Sequence, residues 1–260
     1  MSRVQLRRYP LRALLGVRSR ADFHATLIAQ AVAPHFEAAK CAGREPGRVL
    51  ALGANHREAE ALAGMPFESV VLSGICEPGD ALQALCDRHP HVSYELASAE
   101  ALPYPERSFE LVLAKEMLHH LPRPVQGLYE MLRVCRDRAV FVEPWSCGLV
   151  SALDCLGLVT RFESDQAGNA GARDNHVFRW RRSTLESLLA SYYLDSGARC
   201  RVSTGWLSTR FLSTRGSALG PALLGCGWAA SFVPGARGNL ATVSIEPGGD
   251  LPPPPSARAD

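Results

Sequence analysis

The sequence predicts an α/β protein built on a mostly parallel sheet with helices on both faces. Short apolar runs rich in β-branched residues alternate with amphipathic stretches between residues 48 and 143. Their starts lie roughly twenty to thirty residues apart, the repeat of strand–helix units. The 260 residues are 47% apolar and 21% charged, which suits a globular chain whose core needs neither metal nor disulfide support.

The N-terminal arm is basic: Arg3, Arg7, Arg8, Arg12, Arg18 and Arg20 precede the first acid, Asp22. It has little serine, unlike a transit peptide. Lys40 and Lys115 are the only lysines, so arginine is the general cation of this chain and the arm reads as an ordinary basic helix. Residues 19–40 read as a further helix. Ser19 and Asp22 open it in capping-box fashion, and Phe23, Leu27, Ile28, Val32 and Phe36 share a face. Pro34 is expected to kink or end it.

Strands follow at 48–52, 69–73, 91–96, 109–114 and 138–143, with helices at 57–63, 79–89 and 125–135 between them. Right-handed crossovers place such helices on both faces. Residues 148–159 form an apolar helix and 160–176 a polar, Gly-rich loop. A helix over 183–194 opens with Ser183 and Glu186, and 199–204 and 239–247 are closing strands. The Pro-rich tail, 248–260, is expected to be disordered. Residues 217–236 carry no charge, but Gly220, Pro221, Gly225, Gly227, Pro234 and Gly235 break them up. They read as core or a substrate-facing wall, with no membrane span.

A formal charge of +2 argues against a dedicated nucleic-acid binder. The eight cysteines form no CxxC pair, which suggests a reducing, cytoplasmic setting. Cys86, His89 and His91 match no standard zinc spacing, so no metal is expected. No Gly-x-Ser-x-Gly elbow or Walker phosphate loop is present.

In an open parallel sheet, ligands bind at the carboxyl ends of the strands. The first strand of the series ends in VLALGANHREAEALA (49–63), and ASAEALPYPERSFELVLAKEMLHHLPRP spans 97–124. The second stretch resembles class I S-adenosylmethionine-dependent methyltransferases of the small-molecule "methyltransferase type 11" branch. Ala99, Glu100, Leu102, Pro103, Ser108, Phe109, Leu118, His119, His120 and Leu121 stand at matching places. The resemblance covers about residues 45–145. It implies a Rossmann-like, seven-stranded sheet with an antiparallel last strand. It also implies an N-terminal arm and helix (1–44) over the cofactor side, a cofactor-binding half (45–145) and a substrate or lid half (146–247).

The cofactor implied is S-adenosylmethionine. The positions carried over for it are Gly53, Ala54 and Asn55 after the first strand, and Gly74, Ile75 and Glu77 after the second. Ser98, Ala99 and Glu100 follow the third, and Lys115 follows the fourth. Three acids of the family pattern are absent: Ala51, Gly74 and Ser98 stand in their places. A hydrogen bond to a charged group contributes about 1.5–3 kcal/mol, so losing three removes roughly 4–9 kcal/mol. A micromolar site holds only about 8 kcal/mol. Glu77 is the candidate replacement for the ribose acid, and Ser98 can still accept a hydrogen bond.

Lys115 and Glu116 read equally as ligand contacts or a solvated loop pair. His119 and His120 read as residues that shape the loop after the fourth strand. Asp165, Asp174 and His176 are candidates for substrate contact, and Arg179, Arg181 and Arg182 for an anion. No catalytic residue is assigned. Two functions follow from the resemblance: a methyltransferase acting on a small molecule with a degenerate cofactor site, or an inactive relative that binds or regulates a protein partner. Reuse of the fold for non-methyl chemistry is a third. Trp145, Trp180, Trp206 and Trp228 suit an apolar or aromatic ligand and core packing equally.

Overall fold

The computed structural model describes residues 3–11, 17, 19–159, 162–164, 174–193, 198–206 and 226–248. Its strands are β1 (Arg3–Arg8), β2 (Arg48–Leu52), β3 (Ser69–Gly74), β4 (Val92–Leu96), β5 (Phe109–Lys115), β6 (Cys135–Pro144), β7 (Phe162–Ser164), β8 (Asp174–His176), β9 (Arg199–Gly205) and β10 (Leu240–Glu246). The helices are α1 (Arg20–Cys41), α2 (His56–Ala63), α3 (Asp80–Arg88), α4 (Pro124–Val134), α5 (Gly148–Cys155) and α6 (Arg182–Tyr193). The main sheet has eight strands in the order β1-β9-β10-β6-β5-β2-β3-β4. β10 is antiparallel to both neighbours, and the other pairings are parallel.

Alternation along the strands makes two apolar layers. Val49, Ala51, Val70, Leu72, Leu111, Leu113 and Val140 pack under α1, α2 and α3. Leu50, Leu52, Val71, Val112, Ala114 and Phe141 face the opposite way, under α4 and α6. All seven residues of β5 are buried, as expected for a strand covered on both faces.

Three expectations are corrected. The basic arm enters the sheet as β1, paired in parallel with β9, which makes eight strands instead of seven. RVQLRR alternates: Val4 is buried and Leu6 half-buried, while Gln5 and Arg7 face out. A period of two outweighs the arginine-rich composition. Helix α1 continues through Pro34 to Cys41. Ala31, Val32, His35 and Ala39 are buried on both sides of the proline, and the His35 ring lies 2.6 Å from the Pro46 carbonyl. Packing therefore offsets the lost helix bond. Within the stretch read as a loop, β7 and β8 pair antiparallel.

Ser19 and Asp22 form both capping-box bonds expected of them. Glu186 accepts from the Arg182 guanidinium at 2.9 Å. No described helix is long and apolar enough to cross a membrane. Asp165, the tail from 249 onward and residues 217–225 of the uncharged 217–236 segment lie outside the described residues.

Candidate functional site

Parallel pairing brings the carboxyl ends of β2, β3, β4 and β5 to one edge of the sheet. The turn after β2 begins at Gly53, whose φ of +60° favours glycine. Its N–H donates to the Ser73 carbonyl at 2.7 Å, and a Cβ there would overlap the Met117 side chain. Gly53→Ala is therefore expected to cost about 1–2 kcal/mol for the left-handed backbone alone, and more if Met117 cannot shift. Urea denaturation measures this, and a variant as stable as the parent would contradict the geometry.

Ala54 is half-buried against the α1–α3 layer. Asn55 caps α2. Its Oδ1 accepts from the N–H groups of Arg57 and Glu58, and its own N–H and side-chain amide donate to Glu58. Asn55 and Glu58 thus build a capped helix start directly after the Gly53 turn.

Glu58 joins this turn to the end of β5. Lys115 Nζ lies 3.1 Å from Glu58 Oε1 and also contacts the Glu116 carboxylate. The side chains of Lys115 and Glu58 are 2% and 4% exposed, whereas that of Glu116 is 42% exposed. Burial pushes the Glu58 carboxyl up, partly opposed by Lys115. Burial would lower Lys115, but Glu116 and Glu58 outweigh it and hold the ammonium above its ordinary range. Burial would likewise raise Glu116, but Lys115, with smaller contributions from His24 and His119, holds that carboxyl below its ordinary range.

Two carboxylates against one ammonium leave the cluster net negative. Glu116 also has a φ of +47°, an uncommon backbone for glutamate that marks a strained strand end. Tyr9 and His24 lie near enough to feel the charge of Glu116, and the Tyr9 hydroxyl is hydrogen-bonded to the Thr242 side chain on β10.

Below Glu116 the chain forms a 3-10 turn, Leu118–His120. Glu143, at the end of β6 and fully buried, holds it. One of its oxygens accepts from the N–H groups of Met117 and Leu118 at 2.8 Å, and the other lies 2.6 Å from His119 Nδ1. His119 is buried and its ring packs on that of His120, so the pair shapes this turn.

The other predicted positions sit around this cluster. At Gly74 the Tyr94 hydroxyl fills the space of a Cβ and donates to the Cys76 carbonyl at 2.6 Å. Ile75 is 75% exposed. Glu77 lines a cleft of about 490 Å³ with Gln83, Cys86 and Tyr94, between α3 and β4. The Ser98 hydroxyl accepts from the Glu100 N–H, and Ala99 is in the core. The Glu100 carboxylate accepts from the Arg123 N–H at 2.6 Å and its guanidinium at 3.0 Å, tying this loop to the start of α4.

The structure thus joins Gly53, Asn55 and Lys115 through Glu58, Glu116 and Met117, while Glu77 and Glu100 have separate surroundings. Sequence reasoning missed Glu58 and Glu143. The Asn55–Glu58 spacing is a capping box, and Glu143 is an acid closing an apolar strand. Both signals were present.

Seven strands in the order β4-β3-β2-β5-β6-β10-β9, with the capped turn after β2, define the class I methyltransferase fold. Residues 50–142 match the family model described as a methyltransferase domain. Among solved structures, YcgJ from Bacillus subtilis aligns at 14% identity with a TM-score of 0.53, over 85% of this chain and 99% of that one. Magnesium protoporphyrin IX methyltransferase from Synechocystis, solved with bound SAH, aligns at 14% identity with a TM-score of 0.50, over 89% of each chain. No curated protein matches in sequence.

Proposed function

We propose that this chain is an S-adenosylmethionine-dependent methyltransferase acting on a small molecule, with a rebuilt cofactor site. The observation that carries the reading is the net-negative Glu58–Lys115–Glu116 cluster, with its half-exposed Glu116 carboxylate, beside the Gly53 turn.

The residues fit the cofactor at its charged end. The sulfonium and ammonium of S-adenosylmethionine are cations, and Glu116 offers them a carboxylate already held in its charged form by Lys115. Glu116 and Glu58 supply here the negative charge that Ala51 lacks. At the ribose end, Gly74 has no acid and no room for one beside Tyr94. Glu77, Ser98 and the backbone of Ala99 are the candidate contacts there.

When bound, the cofactor would supply an electrophilic methyl group on a sulfonium, with a neutral thioether as its leaving group. The chain's part is to position and desolvate the reactants. Gly53 makes room for the Met117 side chain, which the Glu143-held turn fixes over that glycine.

The second reading, an inactive binding protein, is favoured by one feature. The polar groups of Asn55 and Glu100 are already taken by Glu58 and Arg123. Calorimetric titration with S-adenosylhomocysteine and S-adenosylmethionine separates the two. Micromolar binding is expected, weakened about tenfold in Glu116→Gln through loss of a charge-assisted contact. No heat at millimolar ligand from the folded protein would establish the second reading. The small net charge supports a small-molecule substrate over nucleic acid. The eight free thiols support a reducing, cytoplasmic setting.

A further inference from the structure

A second cleft, of about 550 Å³, opens between α5 and the segment 176–181 that leads into α6. Its floor is rigid. The Trp180 N–H donates to the Pro144 carbonyl at 2.9 Å and the Ser146 N–H to the Trp180 carbonyl at 2.7 Å. Trp145 and Trp180 are both buried beneath it. β8 packs beside the 3-10 turn that carries His119, so the cleft belongs to the same edge of the sheet as Gly53 and Glu116.

The lining mixes apolar side chains, Val150, Val177 and Phe178, with charged ones of mostly opposite sign to the Glu116 cluster. Arg179 and Arg181 line it together with one carboxylate, Asp154, and with His176. Ser146 and Ser151 present hydroxyl oxygens 2.9 Å apart, and Phe178 supplies an aromatic wall.

We propose that this cleft binds a small hydroxyl-bearing anion, a sugar phosphate or a sugar acid, as the acceptor of the methyltransferase proposed above. The inference rests on that reading for the word acceptor. The exposed Arg181 guanidinium fork matches the oxyanion of a phosphate or carboxylate. The serine hydroxyls match ligand hydroxyls, the Phe178 ring matches the face of a sugar, and the volume suits a monosaccharide. The edge then has two poles: a negative one for the cationic cofactor and a positive one for an anionic acceptor.

The test is calorimetric titration of the full chain with glucose 6-phosphate, glucuronate and glucose, and separately with S-adenosylhomocysteine. Saturable binding of one or both anions, but not of glucose, is expected, and the tighter anion identifies the head group. Arg181→Ala should weaken it tenfold or more. Arg181 is exposed, so this variant keeps the fold. Arg182→Ala, which loses only the pairing with Glu186 on the exposed side of α6, should leave it unchanged. Equal binding of glucose, no binding of either anion, or an Arg181→Ala variant that binds normally overturns the proposal. If S-adenosylhomocysteine binds and the anions do not, this inference fails alone. If the anions bind and S-adenosylhomocysteine does not, the anion cleft stands and the methyltransferase reading fails.

Discussion

Replacing Lys115 with methionine is expected to destabilise the protein by about 3–5 kcal/mol, the usual cost of removing one partner from a buried ion pair. The methionine fills the space, so the loss comes from charge. Glu58 remains 4% exposed with no cation opposite, and Glu116 loses the group that holds its carboxyl down. In the parent, the stabilisation from Glu116 is present above the ordinary carboxylate value of 4.5 and fades as pH falls through its lowered folded value. Glu58 has the opposite sign. Its folded value is raised, so its ionisation costs stability above 4.5, and that cost is relieved on acidification. In Lys115→Met both carboxyls move up, so the deficit is greatest near about pH 7 and shrinks toward about pH 4. Urea denaturation across that range measures it. A deficit that does not change with pH would show that Lys115 contributes by packing alone.

Glu143→Ala is expected to cost a similar amount, about 3–5 kcal/mol, because one buried carboxylate serves three donors. Removing it strands the N–H groups of Met117 and Leu118 away from water and takes from His119 its contact to Glu143. Glu143→Gln retains an acceptor for the backbone and should lose about half as much. Because Met117 lies over Gly53, loosening this turn should also weaken cofactor binding. Denaturation together with titration by S-adenosylhomocysteine reads both effects. An alanine variant within about 0.5 kcal/mol of the parent, the range of ordinary surface changes, would rule out the buried bracket.

The central strands and helices were legible because each is a local pattern. VVLSG and FELVLA are too apolar and too short for anything but strands buried on both faces. The strand-end glycine was legible for the same reason, since a turn between strand and helix demands it. What misled was local pattern overruled by distant partners. The arginines of the arm disguised β1, whose place is fixed by β9, about 190 residues downstream. Pro34 carries its ordinary helix penalty, and only the packing of α1 on the sheet overrides it.

By itself, the sequence determined the α/β class, the order of its repeating units and the edge of the sheet at which the Gly53 turn and Lys115 lie. These depend on periodicity and on residue types close together in the chain. Only the tertiary structure decided which charges meet. Glu58 and Lys115 are 57 positions apart, and nothing in a linear pattern sets the distance between them. Whether a lysine at a strand end is solvated or locked between two carboxylates depends on the register of β2 against β5 and the start of α2. Coulomb interactions act through space and grow as burial removes water, so the site's charge is a property of the fold.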